Sequence, residues 1–515
     1  MPLQPARQAL PNILLVMADQ LTPGALPAYG NRVVDTSHLA ALGRSGVVFD
    51  SAYCNSPLCA PSRASMMTGM LPSQIGVYDN AAELPASVPT LAHHLRALGY
   101  RTCLAGKMHF VGPDQLHGFE QRVTTDLYPA GLDWTPDWDR PASERQPWYH
   151  DMSSVLETGV SEVSLQIDFD EEVTFRAVRA IYDLARSEDR RPFFLLASFA
   201  HPHDPWELPQ SCWDRYEGVE VDPPSVAEIP EGRLDPHSRR IREMCGQQDL
   251  EIPQQTVLNA RRGYYAAVSF LDDRVGRLLA ALDASGLRES TIVIFTSDHG
   301  EMLGERGLWY KMSFFEPSAR VPLIVNAPGR FRPRRVSQNV SLVDLLPSLV
   351  ELANGGRAFL PVDSAPGLSL VPLLAGDAGG PRGSEEVLGE YLAEGTQAPL
   401  VMIRRGGFKF VHCPGDPDQL FDLRTDPHEL VNLAESRRDG ATVEAFRDEI
   451  ATRWNLGTLR EQVVASQRRR RVVIDALSKG RPSSWDYSPP DDSSNRYVRG
   501  LDFWAPFAGA RLRRR

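Results

Sequence analysis

Four short apolar runs, each ending in reactive polar residues, constrain the fold of this chain more than any other feature. The runs are residues 12–18, 102–105, 193–199 and 291–296. Their length and continuous apolar character indicate buried strands. Amphipathic helical patterns at residues 36–45, 90–98 and 259–284 lie between them. Because strands that alternate with helices form βαβ units, the sequence predicts an α/β protein with a large, mostly parallel sheet flanked by helices.

The polar residues that follow these runs predict one site. They are Asp19 and Gln20, Lys107 and His109, His201, His203 and Asp204, and Asp298 and His299. The carboxyl ends of parallel strands open at one edge of the sheet, where α/β proteins bind their ligands. We therefore expect the four strand ends to converge on a shared site rather than to form four independent surface loops.

The sequence pattern changes after about residue 350. Proline and glycine are dense between residues 355 and 383, which predicts a linker or a crossing loop. Beyond it, short strands at 387–390, 400–404 and 408–412, a turn-rich segment at 416–432 and a helix at 443–454 predict a smaller α+β domain. We place the catalytic α/β domain at residues 1–375 and the C-terminal α+β subdomain at 376–480.

The last segment, residues 481–515, is predicted to be an extended tail that docks on this chain or on a neighbouring one. A solvated tail rarely carries many large aromatic residues. This one has Trp485, Tyr487, Tyr497, Phe503 and Trp504 among Pro, Ser and Asp.

Composition excludes several other classes of protein. The chain of 515 residues has a formal charge of −11. Its basic runs lie only at 468–471, which we interpret as a solvated helix face, and at 513–515, which we interpret as a tail. No nucleic-acid partner is expected from such a balance. The apolar stretch at 13–18 is too short to span a bilayer, so we expect no membrane partner and a cytoplasmic location. Six cysteines without paired spacing fit a reducing compartment.

One of the six cysteines stands in a distinctive setting. Cys59 precedes Pro61 and Ser62, which favour a helix start, and helix N-termini stabilise anions and lower thiol pKa values. Arg63 lies one turn further on the same face and can hold an oxyanion through two nitrogens. These residues predict a cysteine-centred anion site at Cys59. The alternative is that a cysteine is simply part of the buried core, and this is our interpretation of Cys54, Cys103 and Cys245.

The segment Cys59-Ala-Pro-Ser-Arg63 resembles the maturation signature of formylglycine-dependent sulfatases in the alkaline phosphatase superfamily, and residues 99–109 resemble the second signature of that family. Residues 78–83, 108–119 and 304–315, with the aromatic tail, are similar to its choline sulfatase branch. The resemblance implies an alkaline phosphatase/sulfatase-like fold. It also implies a sulfuric ester hydrolase that converts choline O-sulfate to choline and sulfate.

The resemblance further implies two prosthetic features. A formylglycine-generating enzyme would oxidise Cys59 to formylglycine, whose hydrated form attacks sulfur, and a divalent metal would bind the sulfate oxygens. The implied metal ligands are Asp19, Gln20, Cys59, Asp298 and His299. Many sulfatases have Asp at the position of Gln20 and Asn at that of His299. Because an imidazole ligand is compatible with several divalent ions, the metal can be Ca²⁺, Mn²⁺ or Mg²⁺. The combination of Gln20 and His299 resembles the phosphonate monoester hydrolase branch of the superfamily.

Catalytic roles follow from the same resemblance. The implied catalytic residues are Cys59, Arg63, Lys107, His109, His201 and Lys311. Arg63 and Lys107 would orient the nucleophile, and His109 would accept its proton. His201 and Lys311 would hold the sulfate, and one of them would protonate the basic alkoxide of choline. Asn80 would contact a sulfate oxygen. His203 and Asp204 would lie behind these residues and support their positions.

A quaternary ammonium group offers no hydrogen bond and is recognised by aromatic faces and carboxylates. The insert at residues 126–151 is rich in Trp and Asp, as such a cage requires, although a packing cluster would look the same. The predicted choline-binding residues are Trp134, Trp148, His150, Glu390 and Asp502. Asp502 lies in the tail, which resembling proteins use in assembly, so a homo-oligomer (dimer or tetramer) is expected.

Two kinds of alternative function remain at this point. Related machinery would serve a phosphonate monoester or phosphodiester hydrolase, or a broader alkyl or aryl sulfatase. A non-catalytic choline- or anion-binding protein on a sulfatase scaffold is the alternative from another class. The presence of Cys59, Arg63, Lys107 and Asp298 argues against it.

Overall fold

A large sheet forms the centre of the computed structural model, which describes residues 10–146, 148–359, 361–363, 365–376, 385–481, 483–490 and 504–512. Within these residues its strands are β1 (Asn12–Ala18), β2 (Val47–Tyr53), β3 (Arg101–Gly106), β4 (Gln121–Arg122), β6 (Phe193–Ser198), β8 (Thr291–Ser297), β9 (Arg320–Val321), β10 (Leu323–Asn326) and β11 (Arg334–Ser341). They are ordered β11-β2-β10-β8-β1-β6-β3-β4, and β9 pairs with β2. A separate small ladder joins β5 (Gly159–Val160) to β7 (Glu207–Leu208).

Helices cover both faces of this sheet. They are α1 (Ser37–Ser45), α2 (Cys59–Thr68), α3 (Pro72–Ile75), α4 (Leu91–Ala97), α5 (Ser153–Leu156), α6 (Leu165–Arg186), α7 (Gln210–Trp213), α8 (Pro236–Met244), α9 (Gln254–Ser285), α10 (Glu316–Ala319), α11 (Leu345–Ala353) and α12 (Val371–Ala375). In β1, Leu14 and Val16 pack towards α1, α6 and α9, whereas Leu15 and Met17 pack towards α2, α4 and α11. Because both faces are covered, β1 is apolar at nearly every position.

The four predicted strands are neighbours at the centre of the sheet. β8, β1, β6 and β3 lie side by side and pair in parallel. Ala18 is aligned with Ser297, and Ser198 with both Met17 and Gly106, so the four carboxyl ends are level. The mostly parallel sheet is therefore confirmed. β10 runs antiparallel to β2 and β8 and makes that half of the sheet mixed.

A second, antiparallel sheet follows in the C-terminal part. Its strands, in spatial order, are β12 (Glu386–Tyr391), β13 (Leu400–Arg405), β14 (Phe408–His412) and β15 (Gln419–Asp422). Helices α13 (Gly440–Arg453) and α14 (Leu456–Leu477) pack on it, and the rings of Phe410 and Phe446 stack at 5.3 Å. β15 lies within the segment predicted to be turn-rich. The predicted domain boundary borders residues 377–384, which lie outside the described residues, and it stays a prediction.

Parts of the tail lie against the same chain. Asp486 Oδ1 accepts a hydrogen bond from the Ala130 amide at 2.8 Å, and the Tyr487 hydroxyl donates to Arg122 O at 3.2 Å. Beyond α15 (Trp504–Gly509), Ala510 O accepts from Arg186. Tyr497, Asp502 and Phe503 lie outside the described residues, so the assembly role of the tail stays a prediction. None of the helices in the described part of the chain has the length and apolar character needed to cross a membrane.

Candidate active site

Two buried carboxylates at the ends of β1 and β8, Asp19 and Asp298, share one buried arginine. Arg63 on α2 donates from Nε to Asp298 Oδ2 at 2.8 Å and from Nη2 to Asp19 Oδ2 at 3.1 Å. Its Nη1 donates to Lys107 O at 2.6 Å and to Ser198 Oγ at 2.8 Å. Because the guanidinium is permanently charged and planar, it both compensates the carboxylates and fixes their orientation.

Cys59 is the first residue of α2 and lies at the centre of this cluster. Its Sγ is 3.3 Å from His299 Nε2, 3.6 Å from Lys107 Nζ and 3.8 Å from Asp19 Oδ1. Burial alone would raise the pKa of the Cys59 thiol, but Lys107, Lys311 and His299 hold this pKa well below its usual range. The direction agrees with the helix-start argument, although nearby cationic side chains are the main cause.

The same cluster fits a divalent metal. Donor atoms of Asp19, Cys59, Asp298 and His299 lie within 4.8 Å of one another, and all four residues are buried. His299 Nδ1 is 3.0 Å from Gly300 O, and since a carbonyl only accepts, Nδ1 carries a proton. Nε2 faces the cluster, and a bound metal would take the place of a proton on this nitrogen. Carboxylate and imidazole donors suit several divalent cations, so the donor set does not choose among Ca²⁺, Mn²⁺ and Mg²⁺.

Gln20, the other predicted ligand, has a fixed amide orientation. Its Nε2 donates to Glu301 Oε2 at 2.5 Å and to Asp204 Oδ1 at 3.1 Å, so its Oε1 turns to Lys311 Nζ, 2.5 Å away. Glu301 also accepts from the backbone amides of Leu303 and Tyr310 and thereby shapes the loop that leads to Lys311. Burial raises the pKa of Glu301 to about 7. Sequence reasoning missed Glu301, although it directly follows the Asp298-His299-Gly300 segment.

The histidine beside Lys311 is His203, not the predicted His201. Lys311 Nζ lies 2.7 Å from His203 Nε2, and both residues line the cavity above Cys59. His201 turns the other way: its Nδ1 is 2.7 Å from Asp170 Oδ2 and its ring packs 4.7 Å from Phe270. The correction has a physical reason, because Asp170 also accepts from the His201 backbone amide and holds this part of the loop against α6.

A cavity of about 330 Å³ opens above these groups. It is lined by Leu58, Cys59, Asn80, Tyr128, Trp134, Trp148, Tyr149, His150, Asp151, Ser153, Ser154, His203, Asp204, Lys311 and Glu394. Cys59, Asn80, Trp134, Trp148, His150 and Lys311 are thus brought together, as the sequence predicted. Asn80 Oδ1 accepts from the Ala60 amide at 3.0 Å, which ties this side chain to the start of α2.

Aromatic rings form one wall of the cavity. Trp134 and Trp148 stack at 6.2 Å, and Tyr128 lies 5.2 Å from Trp134. The ring of Tyr128 also lies 4.2 Å from Lys107 Nζ and 5.2 Å from His109, so it connects the aromatic wall to the catalytic cluster. Sequence reasoning did not single out Tyr128, although it belongs to the aromatic insert at residues 126–151.

The glutamate that lines this cavity, beside Asp151 and Asp204, is Glu394 rather than the predicted Glu390. Glu390 lies in β12, and its carboxylate accepts from the amide and hydroxyl of Ser73 and from Trp454 Nε1, each at 2.7 Å. Both of its oxygens are thereby used away from the cavity. Glu394 follows the strand and lines the cavity; its Oε2 has no hydrogen-bond partner among the described residues, and burial raises its pKa to about 8. Asp502 lies outside the described residues.

Comparisons with known families and proteins agree with this geometry. A family model described as Sulfatase matches residues 11–355, and one described as Choline sulfatase enzyme C terminal matches residues 461–502. The chain is 47% identical over 496 residues to the choline-sulfatase of Rhizobium meliloti (strain 1021), covering 95% of this chain and 96% of that protein. It is 31% identical over 393 residues to human iduronate 2-sulfatase, covering 72% and 69% of the two chains.

Solved structures show the same architecture. The phosphonate monoester hydrolase of Agrobacterium radiobacter superposes with a TM-score of 0.68 at 25% identity, covering 88% of this chain and 96% of that one. The first family model covers well over half of the 515 residues, and the long match at 47% identity covers 95% of them. The chain belongs to the sulfatase family.

Proposed function

We propose that this protein hydrolyses choline O-sulfate to choline and sulfate. The observation that carries the proposal is a single cavity lined by groups that suit both charges of this substrate. Cys59 and Lys311 favour an anion, whereas Trp134 and the ionised form of Glu394, whose Oε2 has no hydrogen-bond partner among the described residues, favour a cation. A zwitterionic sulfate ester matches both kinds of group. The extended similarity to a choline-sulfatase supports the same substrate.

We propose further that a divalent metal ion and a modified form of Cys59 complete the site. Asp19, Asp298 and His299 would hold one divalent cation, which acts as a Lewis acid on sulfate oxygens when bound. Gln20, whose Oε1 accepts from Lys311 in this structure, would be a further ligand. Formylglycine, produced at Cys59 by a maturation enzyme, would supply a covalent nucleophile that is regenerated in each cycle. Two contacts support this proposal: His299 Nε2 lies 3.3 Å from Cys59 Sγ, and Arg63 holds Asp298.

The remaining work falls to side chains of the chain itself. Lys107 and Lys311 would neutralise the sulfate charge, and Asn80 lines the same cavity as Lys311. Choline leaves as an alkoxide, which is far more basic than a phenolate and requires a proton. Lys311 donates to His203 Nε2 in this structure, and we propose that this pair delivers the proton to the ester oxygen.

Steady-state kinetics on metal-analysed protein tests the proposed function. We expect kcat/KM to be highest for choline O-sulfate, lower for para-nitrophenyl sulfate and lowest for a phenyl phosphonate ester. The structural similarity to a phosphonate monoester hydrolase makes the third substrate the specific competitor. If choline O-sulfate were the poorest of the three, the proposal would fail.

The pH dependence of KM should report the ionisation of Glu394. The pKa of this carboxyl is raised to about 8, so the neutral acid dominates below that pH and the carboxylate above it. Only the carboxylate attracts a quaternary ammonium, hence KM for choline O-sulfate should fall as pH rises from about 6 to 8 and then level off. Glu394→Gln should remove this trend, while KM for para-nitrophenyl sulfate serves as the reference without a cation. A trend of the same size in both variants would contradict the assignment.

A further inference from the structure

One of four consecutive arginines on α14 turns into the protein. The run at residues 468–471 was interpreted above as a solvated face, yet Arg470 is buried. Its Nη1 and Nη2 donate to Asp79 Oδ1 and Oδ2, each at 2.6 Å, and Asp79 is fully buried. Nη1 also donates to Thr135 Oγ1 at 3.1 Å. Arg470 therefore joins two segments that are distant in the sequence.

Both segments carry residues of the cavity. Asp79 precedes Asn80, and Thr135 follows Trp134, so each residue that Arg470 contacts is the sequence neighbour of a residue that lines the cavity. Residues 131–140 form neither helix nor strand, and their position therefore depends on such external contacts.

Other side chains on the same face of α14 hold the same insert. Gln467, fully buried one turn before Arg471, accepts from the Trp138 amide at 2.9 Å. Arg471 pairs with Asp137. The Trp138 indole in turn donates to Ala393 O at 2.8 Å, next to Glu394 in the cavity wall. We call Gln467, Arg470 and Arg471 the inner face of α14.

We propose that the inner face of α14 positions the quaternary-ammonium end of the cavity, with Arg470 as the principal positioning residue. The proposal rests on the proposed function, because it assigns this end of the cavity to the choline group. Arg470 does not line the cavity; it acts through Asp79 and Thr135. A buried bidentate ion pair has strict geometric requirements, so it fixes the separation of the two segments rather than simply holding them together.

Arg470→Lys is the central test, because lysine retains the charge but cannot form the bidentate pair. Thr135→Val removes the contact with the insert and leaves the Arg470–Asp79 pair intact, so it decides the question if Arg470→Lys does not fold. Arg469→Lys is the matched control, since Arg469 belongs to the same run and is exposed. Thermal unfolding of each variant shows whether it is folded.

The measurement is the ratio of kcat/KM for choline O-sulfate to that for para-nitrophenyl sulfate, together with calorimetric binding of tetramethylammonium. We expect the ratio to fall about tenfold for Arg470→Lys, through an increase in KM for choline O-sulfate, which is the size expected for one charged hydrogen bond. For Thr135→Val we expect a smaller fall, of several-fold. Arg469→Lys should keep the wild-type ratio. Tetramethylammonium should bind more weakly in the same order.

An equal fall for both substrates, with unchanged tetramethylammonium binding, would overturn the positioning role and leave only a structural one. The proposed function fails separately, if the wild-type protein does not prefer choline O-sulfate. Tetramethylammonium binding to the folded variants then still decides whether α14 positions a cation site.

Discussion

Replacing Cys59 with alanine is expected to reduce hydrolysis of sulfate esters by at least about 10⁴-fold and to leave the fold intact. The Sγ of Cys59 is surrounded by Lys107, His299 and Asp19, so this atom occupies the point on which the charges converge. Loss of a nucleophile removes the covalent route, whereas loss of one small sulfur atom disturbs packing little. Sulfate release measures the first effect, and thermal unfolding measures the second.

Cys103→Ala is the matched control for this prediction. Cys103 is also buried, but it lies in β3, and burial raises its pKa to about 12 instead of lowering it. It should lose some stability and retain kcat. Mass spectrometry of the wild-type peptide that contains Cys59 should show a mass below that of the thiol form. A persistent thiol in fully active protein, or near-native turnover by Cys59→Ala, would refute the assigned role.

The central sheet and the convergence of its strand ends could be predicted because both depend on local patterns. Each of the four runs has the length of a strand and ends in a residue such as Asp19, Lys107 or Asp298 that has little reason to be buried except for function. Parallel pairing then brings the ends level without further information. The same logic placed Cys59 and Arg63 together on α2.

The errors have a common physical origin in contacts made across the chain. His201 and His203 lie two residues apart in a loop, and Asp170 on α6 decides which one turns away from the cavity. Glu390 and Glu394 flank the end of β12, so the length of that strand decides which of them reaches the cavity. The spacing of apolar residues along the sequence does not indicate which histidine or which glutamate reaches the cavity.

Arg470 shows the same limitation over a longer distance. A run of four arginines is usually solvated, and only the fold reveals that Asp79 lies opposite one of them, 391 residues away in the sequence. A buried charge of this kind can be recognised only once its ion-pair partner is known, because the local sequence does not distinguish it from a solvated charge. Composition indicated a charge of −11 but could not locate the few charges that shape the cavity.

Lys311→Met should slow choline O-sulfate hydrolysis by about 10²–10⁴-fold and should affect para-nitrophenyl sulfate much less. Burial alone would lower the pKa of Lys311, but Cys59, Asp19 and Asp204 outweigh burial and raise it, so the ammonium can donate a proton at neutral pH. An alkoxide needs that proton to leave, whereas nitrophenolate is a stable anion without it. A side chain that only binds sulfate would affect both esters equally, because the sulfate group is common to them.

A series of sulfate esters with increasingly basic leaving groups separates these two roles of Lys311. In the variant, log kcat should decline more steeply with the pKa of the leaving alcohol than in the wild type, because the missing proton matters most for the strongest base. His203→Gln should steepen the dependence in the same direction, since His203 orients the lysine. His201→Gln is the control, because its ring faces Asp170 and Phe270 outside the cavity lining, and it should leave the slope unchanged. A slope that is the same in wild type and Lys311→Met would mean that the proton reaches the alkoxide from another group.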